Sequence, residues 1–350
     1  MKATILIGDV LDRLRGLPDC SVQCCVTSPP YWGLRDFGVT GQLGFEATPE
    51  LYIQRMTEVF AEVRRVLRDD GALWLNIGDS YAPGSKGNSG AIREGDKQGT
   101  NAGSLDTRRG ESLGPNSNGG TKGFCKPKDL YGIPWMLAFA LRADGWWLRQ
   151  DIIWSKPNPM PESVQDRCTK AHEYLFMLTK SARYYWDAEA IAEPCISGDN
   201  GSSYLSARDQ ATKAGIGTGP RKTKVPGGWD RGKGAHGTIH RDGRISAEYQ
   251  IAEVSTTRNK RSVWEIATQP HSEAHLATFP EVLVEPCILA GSKPGDTVLD
   301  PFCGSGTTGV VALRYHCDFI GIELNPAYAE LAQKRIGKEA PMFNEVVVTA

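Results

Sequence analysis

Short apolar runs of strand length alternate along this chain with longer stretches in which apolar residues recur every three or four positions. Ile5–Ile7 and Val22–Thr27 read as buried strands, with a short helix from Asp9 to Arg15 between them. Thr48-Pro49-Glu50 predicts a helix start, a capping hydroxyl followed by proline in the first turn. Tyr52, Met56, Val59, Phe60, Val63 and Leu67 then keep the helical period. Gly71 is expected to end that helix and Ala72–Ile77 to form the next strand. Later come a helix over Pro134–Leu141 and strands over Asp151–Trp154 and Glu173–Leu178. The last part predicts helix Pro280–Ala290, strand Thr297–Asp300, a Gly-rich turn, helix Thr307–Arg314, strand Asp318–Ile322 and a helix from Pro326 capped by Asn325. Strand and helix in alternation predict an α/β fold with a mostly parallel sheet.

Two polar tracts interrupt this pattern. Residues 83–123 are rich in Gly, Ser and Asn and read as a long flexible insertion carrying Arg93, Arg108 and Arg109. Residues 197–262 hold twelve Lys and Arg against six Asp and Glu. The expected organisation is therefore 1–82, the insertion 83–123, a continuation 124–196, the basic tract 197–262, and a compact end 263–350.

Composition narrows the class without naming a partner. The 350 residues carry 40 Lys plus Arg and 41 Asp plus Glu, so nucleic-acid affinity has to come from local patches. The sequence shows no apolar run long enough for a membrane span, and Asp9 and Asp12 arrive too early for a signal-peptide core. Nine cysteines without a CxxC pair fit a reducing cytoplasm better than a disulfide scaffold. Cys20 with Cys24, and His271 with His275, lack the companion ligands of a metal site, so no metal is expected.

The clearest ligand signal is VLDPFCGSGTTG, Val298 to Gly309, set between a strand and a helix. Gly304, Gly306 and Gly309 permit a tight turn and close backbone approach to a ligand. The next strand runs into Glu323, placed where an acidic residue can bind ribose hydroxyls. Only two clear strands belong to this end, too few for a sheet. The remaining strands must come from the N-terminal half, so the sheet is shared. If it is parallel, Gly8-Asp9, Ser28-Pro29-Pro30-Tyr31, Gly78-Asp79, the glycine turn and Glu323 all lie on one rim.

That rim gives Ser-Pro-Pro-Tyr a chemical reading. Two prolines make a rigid corner with carbonyls in set directions. Ser28 adds a hydroxyl acceptor, and Tyr31, with Trp32, adds flat faces. Acceptors beside a stacking platform suit a planar group bearing an amino substituent, such as a flipped nucleobase.

The chain resembles the amino-methylating DNA methyltransferases that use S-adenosylmethionine. Ser28 to Tyr31 matches their [DNS]-P-P-[YFW] motif, and Phe302 to Gly306 matches their F-x-G-x-G turn. The order, catalytic motif first and cofactor motif last, is that of the β class. The similarity extends over TSPPYWGLRDFG, SKPNPMPESV, AHEYLFMLTKS, RNKRSVWEI and ATFPEVLVEPCILAG, strings that resemble phage and prophage methyltransferases.

The resemblance implies a Rossmann-like methyltransferase fold, a seven-stranded sheet circularly permuted so that the cofactor motif is C-terminal. It implies that Phe302, Gly304, Ser305, Gly306 and Thr307 line the cofactor, with Asp300 behind them. Glu323 would take the ribose hydroxyls, Asp9 would sit near the adenine amino group, and Thr278-Phe279-Pro280 would pack at the methionine end. Ser28, Pro29, Pro30 and Tyr31 would be catalytic. Target recognition would fall in the basic tract, with Arg221, Lys222, Lys224, Arg231, Arg258, Lys260 and Arg261 as candidates for contact with double-stranded DNA. A serine in the first motif position is associated in this family more with cytosine N4 than with adenine N6. A cognate restriction endonuclease and a solitary enzyme are both compatible with the resemblance.

Other readings are weighed against this one. Cytosine C5 chemistry needs a Pro-Cys nucleophile, but Cys195 and Cys287 are each followed by isoleucine and read as buried small residues. Trp146, Trp147 and Trp154 read as core, and His172 as structural. A nicotinamide-dependent oxidoreductase fits the glycines but not the Ser-Pro-Pro-Tyr corner. A catalytically idle DNA-binding protein fits the basic tract but not two intact motifs. Methylation of RNA or protein is the remaining alternative.

Overall fold

The structure, a computed structural model, describes residues 1–34, 38–82, 125–194, 257–269, 279–339 and 345–349. The chain divides into two compact units, Met1–Ile191 with Arg261–Ala350, and Ala192–Lys260.

The larger unit begins with β1 (Lys2–Ile7), α1 (Val10–Arg15), β2 (Val22–Thr27), α2 (Pro49–Val66), β3 (Leu67–Ile77), α3 (Ile133–Ala143), β4 (Trp147–Ser155) and β5 (His172–Thr179). The smaller unit contributes β6 (Glu193–Pro194) and β7 (Thr257–Arg258), an antiparallel pair. The larger unit resumes with β8 (Val263–Glu265), α4 (Glu281–Gly291), β9 (Thr297–Asp300), α5 (Thr307–Arg314), β10 (Asp318–Glu323), α6 (Pro326–Lys338) and β11 (Glu345–Thr349). Among the described residues, no helix is long and apolar enough to cross a membrane.

The main sheet has the order β11-β1-β10-β9-β2-β3-β5-β4-β8. Every neighbour pair is parallel except those made by β5, which runs antiparallel to both β3 and β4. All seven expected strands are present. The two additional ones, β8 and β11, are edge strands, and β8 was too short to leave a pattern: three residues with only Trp264 buried.

Each sheet face carries its own core. Ala3, Ile5, Cys24, Val26 and Trp74 pack with α4, α5 and α6. Cys25, Leu73, Leu75, Ile77 and Phe176 pack with α1, α2 and α3. The central strand β2 is buried on both faces, which is why it lacks the apolar–polar alternation of a half-exposed strand.

Two features depart from the sequence reading in an instructive way. The α2 helix stops at Val66, and β3 starts at Leu67 rather than after Gly71. Helical periodicity cannot detect this, because Leu67 is buried in either conformation. Between Val22↔Leu67 and Cys24↔Ala72 the register shifts, so the extra residues of β3 bulge. Lys180 Nζ, Ser181 Oγ and Tyr185 N hold the bulge through the carbonyls of Leu67, Asp69 and Asp70. The second difference is Trp147, half-exposed at the start of β4, whereas Trp146 and Trp154 are core as expected.

The topology locates the site. From β9 the chain proceeds through α5 to β10 on one side, and from β2 through α2 to β3 on the other. The winding therefore reverses between β9 and β2, and their carboxyl ends open a crevice at that switch point. The glycine turn leaves one side of it and Ser-Pro-Pro-Tyr the other.

Candidate active site

Asp300 sets the distance between the two motifs. Its Oδ1 accepts from Thr27 Oγ1 at 2.6 Å and from Phe302 N at 3.1 Å, and its Oδ2 from Thr308 Oγ1 at 2.8 Å. Thr308 Oγ1 also reaches Val26 O at 3.2 Å. One buried carboxylate thus ties the end of β2, the start of the glycine turn and the first turn of α5. It lies behind the cavity and does not line it.

Burial pushes the Asp300 carboxyl from 3.8 up to about 6, against the pull of its three hydrogen bonds. The folded value exceeds the unfolded one, so the group favours the folded state below pH 4. That contribution is lost as pH rises through about 6, an expected change of about 3 kcal/mol. Asp300→Asn is expected to remove this decline. Urea unfolding of wild type and variant between pH 4 and 7 checks it, and parallel profiles would refute it.

Glu323 ends β10 with both carboxylate oxygens fixed by main chain. Its Oε2 accepts from Gly304 N and its Oε1 from Asn325 N, each at 2.8 Å. Burial raises its pKa against these bonds. Gly306 caps α5 at φ +80°, where a Cβ would stand 2.9 Å from Ala332 Cβ. It serves the packing of α5 on α6 and does not line the cavity. Ser305 and Thr307 line it, with their hydroxyls engaged by Arg335 Nη1 at 2.6 and 3.2 Å. Asp9 also lines it, and its Oδ1 caps α1 through Leu11 N and Asp12 N.

The Ser-Pro-Pro-Tyr corner is held from beneath. Tyr52 Oη donates to Pro30 O at 2.8 Å, and Trp32 Nε1 donates to Glu46 O at 2.9 Å. Trp32 is therefore an anchor, 1% exposed and edge-on to Tyr131, rather than a second open face. Tyr31 seats on Gly78, where a Cβ would come 2.7 Å from the ring carbon Cε2. No described residue donates to the Pro29 carbonyl.

These elements surround one cavity of about 350 Å³. Ser28, Pro29, Pro30 and Tyr31 form one wall, and Phe302, Gly304 and Glu323 another, with Phe279 also on the lining. Of the expected cofactor and catalytic residues, only Asp300 and Gly306 stand behind it.

Sequence reasoning missed Glu173, which also lines the cavity, and its neighbours Asn76 and Lys156. Glu173 lay in one of the family-like strings, but the shared rim was assembled from the carboxyl ends of parallel strands. Because β5 is antiparallel, its first residues reach that rim instead.

The basic candidates are only partly described. Arg221, Lys222, Lys224 and Arg231 lie outside the described residues, as do the 83–123 insertion, Thr278, Cys195 and the His271/His275 pair. Arg258 pairs with Glu193 at 3.6 Å within the smaller unit, which also contains Lys260. Arg261 begins the resumed larger unit. Cys287 is buried inside α4, as expected.

Comparison with known proteins converges on one group. A Type II methyltransferase of Citrobacter freundii, M.Cfr9I, is 44% identical over 337 residues, covering 96% of this chain and 88% of the relative. M.SmaI of Serratia marcescens is 42% identical over 332 residues, covering 95% and 90%. At the level of fold, the cytosine-N4-specific PvuII DNA methyltransferase matches with a TM-score of 0.56 at 17% identity, covering 95% of this chain and 87% of that one. A putative DNA modification methylase of Thermus thermophilus, solved with S-adenosyl-L-methionine, matches with a TM-score of 0.53 at 23% identity over 99% of both chains. Residues 22–334 match the N6/N4 DNA methylase family, and the chain belongs to that family.

Proposed function

We propose that this DNA methylase transfers the methyl group of S-adenosylmethionine to the N4 amino group of a cytosine flipped out of duplex DNA. The observation that carries this reading is the meeting of Ser28, Pro29 and Tyr31 with Gly304 and Glu323 around a single cavity. The lining fits the cofactor chemically. Glu323 is a fixed carboxylate suited to a ribose diol, Asp9 is a second acceptor, and Val10, Phe302, Ile322 and Tyr328 give apolar walls for an adenine.

When bound, the cofactor supplies an electrophilic methyl group on sulfonium sulfur. An exocyclic amino nitrogen is a poor nucleophile because its lone pair is delocalised into the ring. Ser28 Oγ and the Pro29 carbonyl accept its two N–H groups and favour a pyramidal nitrogen. The same acceptors stabilise the positive charge that develops there, and the methylated nitrogen then gives up one proton to solvent. Tyr31 holds the base by stacking, and the crevice walls supply proximity. The choice of cytosine rests on Ser28 in the first motif position.

The basic tract supplies phosphate contacts in this reading, through Arg221, Lys222, Lys224, Arg231, Arg258, Lys260 and Arg261, so affinity for DNA should fall with salt. The Type II designation of the relatives supports a modification enzyme opposed to a restriction endonuclease, acting in the bacterial cytoplasm where its DNA lies.

Incubation with labelled S-adenosylmethionine and mixed-sequence duplex DNA, followed by digestion to nucleosides, tests the proposal. Label in N4-methylcytosine is the expected result. Label in N6-methyladenine would overturn the choice of base. No labelled nucleoside, from protein that binds the cofactor, would overturn the assignment to DNA.

A further inference from the structure

Five polar side chains, Ser28 among them, close on one another at one end of the cavity. Tyr31 Oη donates to Glu173 Oε2 at 2.6 Å. Asn76 Nδ2 reaches Tyr31 Oη at 2.9 Å, Glu173 Oε2 at 3.1 Å and Ser28 Oγ at 3.4 Å. Lys156 Nζ pairs with Glu173 Oε1, both side chains being 17% exposed. Ser28 Oγ lies 3.4 Å from Tyr31 Oη, a long contact in which the serine is the donor.

Stability does not account for this cluster. A buried ion pair is matched or bettered by apolar side chains of the same volume. Asn76 is 3% exposed, and its Oδ1 has no partner among the described residues, an arrangement that is itself destabilising. Turning the amide over would set that oxygen against the Glu173 carboxylate, so the donor end faces the network. What the cluster does fix is the direction of its hydrogen bonds. Glu173 is ion-paired with Lys156, and a carboxylate in an ion pair only accepts. Tyr31 must therefore spend its proton on Glu173, which leaves the phenol oxygen as an acceptor. Ser28 can then give its own proton to Tyr31.

A serine hydroxyl is otherwise free to rotate and to donate. With its proton turned toward Tyr31, a lone pair is left for the base. We propose that Glu173, with Asn76 and Lys156, is a positioning residue for methyl transfer: it sets Ser28 as an acceptor for the amino group and pins the Tyr31 ring. The proposal rests on the amino-methylation reading above. It adds a reason for the anion at the start of β5.

The test uses the full chain with S-adenosylmethionine and unmethylated bacterial genomic DNA, in wild type, Glu173→Gln, Tyr31→Phe and the double variant. Glutamine keeps the shape but can donate to Tyr31, and phenylalanine removes the link. Each single variant is expected to lower kcat about tenfold or more, with cofactor Kd by calorimetry unchanged. The double variant should be no slower than the worse single one, and the pair should show coupling in urea unfolding as well. Tyr31→Phe removes one oxygen from a half-buried ring and keeps the test open should Glu173→Gln fold poorly. A full kcat in either single variant, or strictly additive losses, would overturn the positioning role while wild-type activity left the amino-methylation reading standing. No methylation by wild type would overturn both.

Discussion

Glu323→Ala is expected to weaken S-adenosylmethionine binding by about 100-fold or more. Two charge-assisted hydrogen bonds to a diol contribute roughly 1.5–3 kcal/mol each, and each 1.4 kcal/mol is tenfold in affinity. The carboxylate is ready for them before any ligand arrives, because Gly304 N and Asn325 N already fix both oxygens. Each oxygen has a second lone pair for the ligand. Alanine removes the acceptors and also frees the Gly304 turn, so the effect should exceed that of Glu323→Gln, which keeps one acceptor. Titration calorimetry with the cofactor alone reads the loss without DNA. Binding within threefold of wild type would show that Glu323 braces the turn and touches no ribose. A modest loss of stability, about 1–2 kcal/mol by urea unfolding, accompanies the change in either case, since two partly buried N–H groups lose their acceptor.

Much of this site could be read before the fold was known, for a physical reason. In a parallel sheet the carboxyl end of every strand faces the same rim, so each strand–turn boundary in the sequence is also a coordinate in space. Gly8-Asp9, Ser28 to Tyr31, the glycine turn and Glu323 were legible together because periodicity marks where each strand stops. The same logic hid Glu173. Alternation and burial are identical for a strand run in either direction, so nothing in HEYLFMLT says that its first residues, not its last, reach the rim. Lys156 is different: it follows the carboxyl end of β4, which runs the same way as β3, so the rim logic reaches it, but without Glu173 nothing marked a lone lysine there as part of the site.

Hydrophobicity also misread two aromatics. Trp32 is flanked by the corner and looked like a platform, but its ring is driven into the core and its indole N–H finds Glu46 O. Trp147 has the same composition signal as Trp146 but is half-exposed as the first residue of β4, whereas Trp146, just before the strand, is buried. The roles of glycine could not be separated by motif either. Gly304 gives a main-chain donor to Glu323, whereas Gly306 is small for the sake of Ala332.

Ser28→Ala is expected to lower kcat for methyl transfer about 10²- to 10³-fold, the usual effect of removing one preorganised group that meets developing charge. Cofactor affinity should be unchanged, because Ser28 stands on the β2 side of the crevice and Glu323 on the β10 side. Stability should change little: among the described residues the Ser28 hydroxyl makes only contacts of 3.4 Å, and the corner is held by Tyr52 and by the Thr27–Asp300 bond. Single-turnover transfer of labelled methyl to duplex DNA separates this from a binding defect. A loss confined to KM would mean that the hydroxyl helps to hold the base but does not act on the amino nitrogen. Retention of more than half the wild-type rate would leave the Pro29 carbonyl as the sole acceptor, and the network behind Ser28 would then have no proton to direct. A rate loss at constant cofactor affinity, larger than that of Glu173→Gln, fixes the order of action: the anion orients Tyr31, Tyr31 orients Ser28, and Ser28 meets the base.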